Sequence, residues 1–567
     1  MDRRKFLLES SRWLAAGTLA ARTPFALGQT APDDYVVAET KYGRVRGRRD
    51  RGISIFKGIP YGGDVSGQNR FKAAPPPEPW SGIRDALRPG NPSPQPEHTW
   101  FGIDEPDPAE NCLFLNIWTP AADNQRRPVM IYQHGGGFTT GSGSAVYQDG
   151  GNLARFYNVV VVAHNHRLGL MGYLDLAQLG GEDYATSGNQ GMLDIRDALR
   201  WTFENIAHFG GDPSNMMIFG ESGGGAKTSC LYAMPSAHDY FNKASIESGP
   251  GVRMTEPDIA YQTTRLALQH LDIPTADWRR VLDVPLPHLM ETQVWLSRQA
   301  MAGGITGFFG GRKGIGGSTR PGSFGPVVDG KYLPHHPFDP VAPAISRNKP
   351  LIVGTNRDEM LFFYFQTKNT AVFDITMDGL AAQLNKQFGP GLGPRVLATY
   401  RATRPDAAPI DLDVAIETAR FDWLGSLVIA ERKFAQHAAP VYMYMFTHAS
   451  NYIIPGTHHI LGAAHALEIP YKFDNLRPGA SGNLPNAHIP GMDTIAGTDP
   501  GRYQAARNMS TLWTSYARTA HPTPPPGQPA WPPYTLPRRA TLLIDTNCRV
   551  EDDPQSAERR FWESLPE

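Results

Sequence analysis

The five residues Gly220-Glu221-Ser222-Gly223-Gly224 carry the plainest chemistry in this sequence. They follow an apolar run, Met216 to Phe219, and lead into Gly225 to Leu231, which reads as a helix. A serine in a G-x-S-x-G turn between a strand and a helix is a nucleophile elbow. The turn holds the hydroxyl clear of the sheet, and its glycines are needed because no side chain fits where the chain doubles back. The chemistry implied is attack of Ser222 on a carbonyl carbon.

Such an attack puts negative charge on the carbonyl oxygen, and backbone N–H groups must meet it. Losing one such donor costs roughly 3–4 kcal/mol of barrier. His134-Gly135-Gly136-Gly137-Phe138 directly follows the apolar run Val129 to Tyr132, the placement of an HGGG-type oxyanion loop. Three consecutive glycines let the backbone approach a substrate without Cβ obstruction. The expected donors are the amides of Gly136, Gly137 and Gly223.

A serine hydroxyl is a poor nucleophile until a base takes its proton, and a neutral imidazole does this near neutral pH. A carboxylate must then fix the tautomer and stabilise the imidazolium. The chain has 17 histidines, so composition does not choose among them.

A longer set of motifs does. They include Gly188-Asn189-Gln190-Gly191-Met192-Leu193-Asp194, Phe209-Gly210-Gly211-Asp212-Pro213-Ser214-Asn215, Phe56-Lys57-Gly58-Ile59-Pro60-Tyr61, Asn165-His166-Arg167-Leu168-Gly169 and Trp513 to Thr519. With these and the elbow, the chain resembles the type B carboxylesterases, the group that includes the cholinesterases, from about Tyr42 to Phe561. The resemblance implies an α/β-hydrolase fold and hydrolysis of small-molecule carboxylic esters through a serine acyl-enzyme, with no cofactor and no metal. It places the histidine at His465, within Gly462-Ala463-Ala464-His465-Ala466-Leu467-Glu468. It places the acid at Glu359, closing Val353-Gly354-Thr355-Asn356-Arg357-Asp358-Glu359, with Asp358 as the neighbouring alternative. The order Ser222, Glu359, His465 is that of α/β-hydrolases.

The same resemblance assigns Glu221 and Ser248 to supporting positions beside the triad, and Phe362 and Phe363 to the wall of the site. A carboxylate at Glu221 would favour the imidazolium. Cholinesterase-like members carry bulky aromatics where this chain has Arg320 to Phe324, ahead of Gly325 to Asp329. With Gly322 and only Phe324 there, the acyl side is expected to be wide and to accept medium, bulky or aromatic acyl groups. His458 and His459 precede His465 without the carboxylate or cysteine set of a zinc motif. The family's Glu-Asp-Cys is Glu110-Asn111-Cys112 here, and the usual partner cysteine would fall in Asn91 to Gln95, which has none. The usual Asp-Gln is Asp194-Ile195, and the usual tyrosine before Arg167 is His166. These departures touch no catalytic group and point to a bacterial-type branch. The competing functions are acyl transfer to an alcohol by the same triad, and a non-catalytic binding protein of the same fold.

The elements that must position these residues are legible as short, β-branched apolar runs, the mark of buried parallel strands. They are Val129 to Tyr132, Val159 to Ala163, Met216 to Phe219, Leu351 to Gly354, Val441 to Phe446 and Leu542 to Ile544. Helical patterns lie between them, clearest from Met192 to Ile206. The alternation predicts an α/β fold with a mostly parallel central sheet flanked by helices. The stretch between Phe219 and Leu351 is expected to be a mainly helical insertion, with a mobile glycine-rich loop from Gly303 to Gly325.

A net charge of −1 over 567 residues, without a basic cluster beyond the N-terminus, points away from nucleic acid and anionic membrane surfaces. Three cysteines allow at most one intramolecular disulfide, so the fold cannot rest on a disulfide framework. The N-terminal Asp2-Arg3-Arg4-Lys5-Phe6-Leu7-Leu8, the apolar stretch Trp13 to Ala21 and the small residues around Ala26 to Gly28 read as a twin-arginine-type export signal over residues 1–28. Cleavage after Gly28 removes five basic and two acidic residues, so the charge of −1 becomes −4. The expectation is a periplasmic or secreted protein whose residues 29–567 form one domain without a membrane anchor.

Overall fold

The computed structural model describes residues 34–96, 105–301, 320–368, 370–476 and 495–566. The export signal and most of the glycine-rich stretch lie outside the described residues. The strands are β1 (Tyr35–Thr40), β2 (Gly43–Asp50), β3 (Ile53–Pro60), β4 (Ile83–Asp85), β5 (Phe114–Thr119), β6 (Arg127–Gln133), β7 (Val160–His164) and β8 (Gly211–Glu221). They continue with β9 (Lys243–Glu247), β10 (Leu351–Asn356), β11 (Val441–Phe446), β12 (Ser450–Ile453), β13 (Ile460–Gly462), β14 (Ala540–Ile544) and β15 (Arg549–Asp552). One sheet runs β1-β2-β3-β5-β7-β6-β8-β9-β10-β11-β14-β15, with β4 beside β2, while β12 and β13 pair apart as a hairpin.

From β7 through β6, β8, β9, β10 and β11 to β14 every pairing is parallel. All six runs read as buried strands fall in this central part, because helices cover both of its faces and each strand must be apolar throughout. The antiparallel strands β1 to β3 and β5 at one edge, and β15 at the other, are not among them. The region between Phe219 and Leu351 also departs from its reading. Beside helices it contributes β9, a central strand wedged between β8 and β10.

The helices that bear on the site are α1 (Gln190–Asn205), α2 (Gly223–Ala233), α3 (Pro257–His270), α4 (Leu286–Met301), α5 (Met360–Gln366), α6 (Pro409–Thr418), α7 (Leu424–Phe434), α8 (Glu468–Lys472) and α9 (Arg502–Thr519). A π-helical turn, Ala419–Trp423, joins α6 to α7. In α1, Asp194 accepts a bidentate pair of hydrogen bonds from Arg167 at 2.7 and 2.8 Å, with both side chains buried. Among the described residues no helix is long and apolar enough to cross a membrane.

The sheet register explains where chemistry can gather. Gln133 pairs with Gly220, Glu221 with Glu247, and Glu247 with Gly354. The carboxyl ends of β6, β8, β9 and β10 therefore finish side by side. In open α/β sheets the crevice outside these ends is where ligands bind.

Candidate active site

Ser222 directly follows β8 and caps α2 with φ 58° and ψ −125°, a conformation a residue with a side chain rarely adopts. The surroundings hold it there. Its N–H donates to the Glu247 carbonyl at 2.9 Å, and its own carbonyl accepts from Ala226 at 3.1 Å. A Cβ on Gly224 would overlap the Gln133 carbonyl, and one on Gly249 would overlap the Ser222 carbonyl. Glycine is thus forced at both places by close backbone approach. Ser248, beside Gly249, is buried at φ 45° with its N–H on the Gly354 carbonyl at 2.9 Å, and its hydroxyl has no hydrogen-bond partner among the described residues.

The glycine loop after β6 lies against this elbow. The Cβ position of Gly135 is 3.5 Å from the Ser222 Cβ, and a Cβ on Gly223 would collide with the backbone of Gly137. Gly136 and Gly137 have φ of 83° and 62°. Thr139 and Thr140 donate back to the Gly136 carbonyl at 3.3 and 3.0 Å, which curls the loop. Beneath it, the fully buried Lys227 of α2 donates to the His134 carbonyl at 2.9 Å. Burial pushes the Lys227 ammonium down to about 7. As the first residue of α2, Gly223 has no intrahelical acceptor for its N–H.

The β12–β13 hairpin delivers His465. Its Nδ1 lies 2.7 Å from Oε2 of Glu359, whose other oxygen accepts from the Asn356 N–H at 2.6 Å. Asp358 points elsewhere. It pairs with Arg357 and accepts from the Ala463 N–H at 2.9 Å, tying the hairpin to the end of β10. His459 is also turned away, engaging Asp411 at 3.0 Å, and His458 is exposed.

Two further carboxylates face the ring. Oε1 of Glu221 is 3.3 Å from His465 Nε2, and Oδ2 of Asp422 is 3.7 Å from Nδ1. Burial alone would push the imidazole down, but the facing carboxyl groups, Glu221 and Glu359 foremost, lift it above its ordinary value. Burial and the neighbouring carboxylates hold Glu221 and Asp422 well above the usual carboxylate range. Among the described residues His465 Nε2 has no hydrogen-bond partner, so Ser222 and His465 are not joined in this resting arrangement. Such bonds are commonly loose until substrate is bound.

Aromatic rings wall the histidine. Phe363, Phe362 and Phe421 have ring centroids 5.0, 5.8 and 6.0 Å from that of His465. Phe324 is buried in the main core. Gly322 does not behave as an open pocket position. It has φ 97°, and a Cβ there would come within 2.5 Å of the Leu296 carbonyl on α4. A larger residue would strain that turn against α4 rather than fill the acyl side, which corrects the expectation for this glycine. Sequence reasoning did not find Asp422, Phe421 or Lys227. The only signal for Asp422 and Lys227 is a charged residue within a helical stretch that otherwise looks buried, and Phe421 reads as an ordinary core residue.

A serine elbow at the end of a central parallel strand, with glycine amides on one side and a histidine–carboxylate pair on the other, defines an α/β-hydrolase. Residues 34–562 match the carboxylesterase family, and the chain belongs to that family. It is 33% identical over 528 residues to the para-nitrobenzyl esterase of Bacillus subtilis (strain 168), covering 93% of this chain and 98% of that protein. It is 30% identical over 550 residues to the fumonisin B1 esterase of Sphingopyxis macrogoltabida, covering 94% and 92%. Among solved structures, the Geobacillus stearothermophilus carboxylesterase EST55 superposes with a TM-score of 0.78 at 34% identity, covering 93% of this chain and 99% of that one. The protein is a carboxylesterase.

Proposed function

We propose that this carboxylesterase works through an acyl-enzyme on Ser222, with His465 as base and Glu359 as its orienting acid. The observation that carries this reading is the 2.7 Å contact between His465 Nδ1 and Glu359 beside a serine held at φ 58°. Ser222 attacks the ester carbonyl as its proton passes to His465 Nε2. The amides of Gly136, Gly137 and Gly223 hold the oxyanion, and the imidazolium returns its proton to the departing alcohol. Water, deprotonated in the same way, then attacks the acyl-enzyme and releases the acid. Glu359 stays ionised throughout and keeps the ring in the Nδ1–H tautomer. Ser248 is a supporting residue beside the triad, and Glu221 biases the imidazole toward its charged form.

The acyl group lies against Phe362 and Phe363 in this reading, which favours medium, bulky or aromatic acyl chains over acetyl. Hydrolysis of a p-nitrophenyl ester, with and without an added alcohol, tests the reaction itself. Release of free acid in both conditions supports hydrolysis. Quantitative conversion to the new ester would make the protein an acyltransferase, and no turnover would leave only a binding role.

A further inference from the structure

We propose that Asp422 is a positioning residue of the triad: with Glu359 it forms a carboxylate pair on the Nδ1 edge of His465 that shares one negative charge and one proton. The proposal rests on the triad reading of Ser222, Glu359 and His465. Asp422 is fully buried, and its Oδ2 lies 3.7 Å from the same nitrogen that Glu359 contacts at 2.7 Å. One oxygen from each acid and one ring nitrogen of His465 all lie within 4.8 Å of one another. Neither oxygen of Asp422 has a hydrogen-bond partner among the described residues. A buried carboxylate with no donor is unstable as an anion.

Two carboxylates this close do not both ionise. Glu359 keeps the charge because it accepts from the Asn356 N–H at 2.6 Å and from the ring. Asp422 therefore holds the proton. Burial, and then the charge on Glu359, push its carboxyl well above the ordinary range, in keeping with this division. The titratable groups that face Asp422 are Glu359 at the end of β10, His465 and Glu468 after β13, and Glu221 at the elbow. Within its own segment, Arg420 is taken up by Glu417 at 2.9 Å.

The backbone sets this placement. Asp422 belongs to the π-helical turn Ala419–Trp423, and such turns occur mostly as local interruptions of α-helices, often at functional sites. One added residue rotates the succeeding helical positions by about 100°. Without the π turn Asp422 would face a different side of the α6–α7 segment. Should the charge on Glu359 be removed, Asp422 is the group that can lose its proton and orient the ring.

The test compares kcat/KM for a p-nitrophenyl ester in wild type, Glu359→Gln and Glu359→Gln/Asp422→Asn, from neutral to alkaline pH. A triad whose acid is replaced by its amide loses about 10⁴-fold when nothing substitutes for it. Beyond the rise that all three proteins share as His465 loses its proton, Glu359→Gln is expected to lose only about 10²-fold and to regain activity through a second ionisation, that of Asp422; the double variant should lack this second rise and fall about tenfold or more further. Equal activity and equal pH profiles in the two variants would overturn the proposal. If the double variant does not fold, the profile of Glu359→Gln alone decides, and a rise through one ionisation only, that of His465, overturns it. Full activity in a Ser222→Ala control would instead remove the triad reading, and the pair with it.

Discussion

The ammonium group of Lys227 is buried beneath the glycine loop and donates to the carbonyl oxygen of His134 at 2.9 Å. This contact fixes the start of the loop whose next residues include Gly136 and Gly137. Lys227→Met keeps the volume and removes this contact. We expect kcat to fall about tenfold or more with KM changed far less, because the interaction is felt mainly in the transition state. Equal kcat in the two proteins would show that the loop holds its shape unaided.

The same lysine makes a stability prediction with a defined sign. Its folded-state value, about 7, lies below the ordinary lysine value of 10.5. The unfolded chain therefore binds the proton more readily between those limits, and this cost to the folded state disappears as pH rises. The Tm of Lys227→Met relative to wild type should be highest at or below pH ~7 and should decline toward pH ~10. A pH-independent Tm difference would contradict the burial argument.

Glu221, 3.3 Å from His465 Nε2, favours the imidazolium. Catalysis by His465 needs the neutral ring, so activity rises with pH as the ring loses its proton. Removing the carboxylate in Glu221→Gln lowers that value, and the rising limb of kcat/KM should move to lower pH. Movement to higher pH, or none, would mean that Glu221 is neutral or remote when substrate is bound.

Phe362 and Phe363 beside His465 make an apolar wall against which acyl methylenes can pack. Each buried methylene contributes up to ~0.8 kcal/mol while it fits. Butyryl to octanoyl or benzoyl esters should therefore show higher kcat/KM than acetyl esters across a p-nitrophenyl series. A steady decline with acyl length would show that the acyl side is closed.

Much of this site is legible in the residues alone. The buried parallel strands are apolar from end to end, so Val441–Phe446 can be bounded as the structure has it. The β9 strand cannot, because Lys243 and Glu247 look like surface residues. Both are buried, Lys243 bonded to Asn215 and the Ala517 carbonyl, and Glu247 to Lys472 and Trp513. Those partners are remote in sequence, and only the folded chain brings them close. Asp422 is hidden for a related reason, since its place beside His465 depends on a π turn that no motif announces. Lys227 reads as an ordinary polar helix position until the glycine loop is laid over it.

The cysteines show a departure from the family that the fold absorbs. Cys112, Cys230 and Cys548 are all free. Burial raises the Cys112 thiol to about 12. Denatured, unreduced protein should titrate for three thiols per chain. A count of one would reveal a disulfide that the folded arrangement does not contain.

The central claim is that the acyl group passes through Ser222. Protein treated with a fluorophosphonate until ester hydrolysis stops should be digested and the adduct located by mass spectrometry. One adduct is expected, on the peptide containing Gly220 to Gly224 and at Ser222 itself, with Ser222→Ala unlabelled and its kcat lowered at least ~10³-fold. An adduct on another residue, or a Ser222→Ala protein that still hydrolyses esters at the wild-type rate, would contradict it.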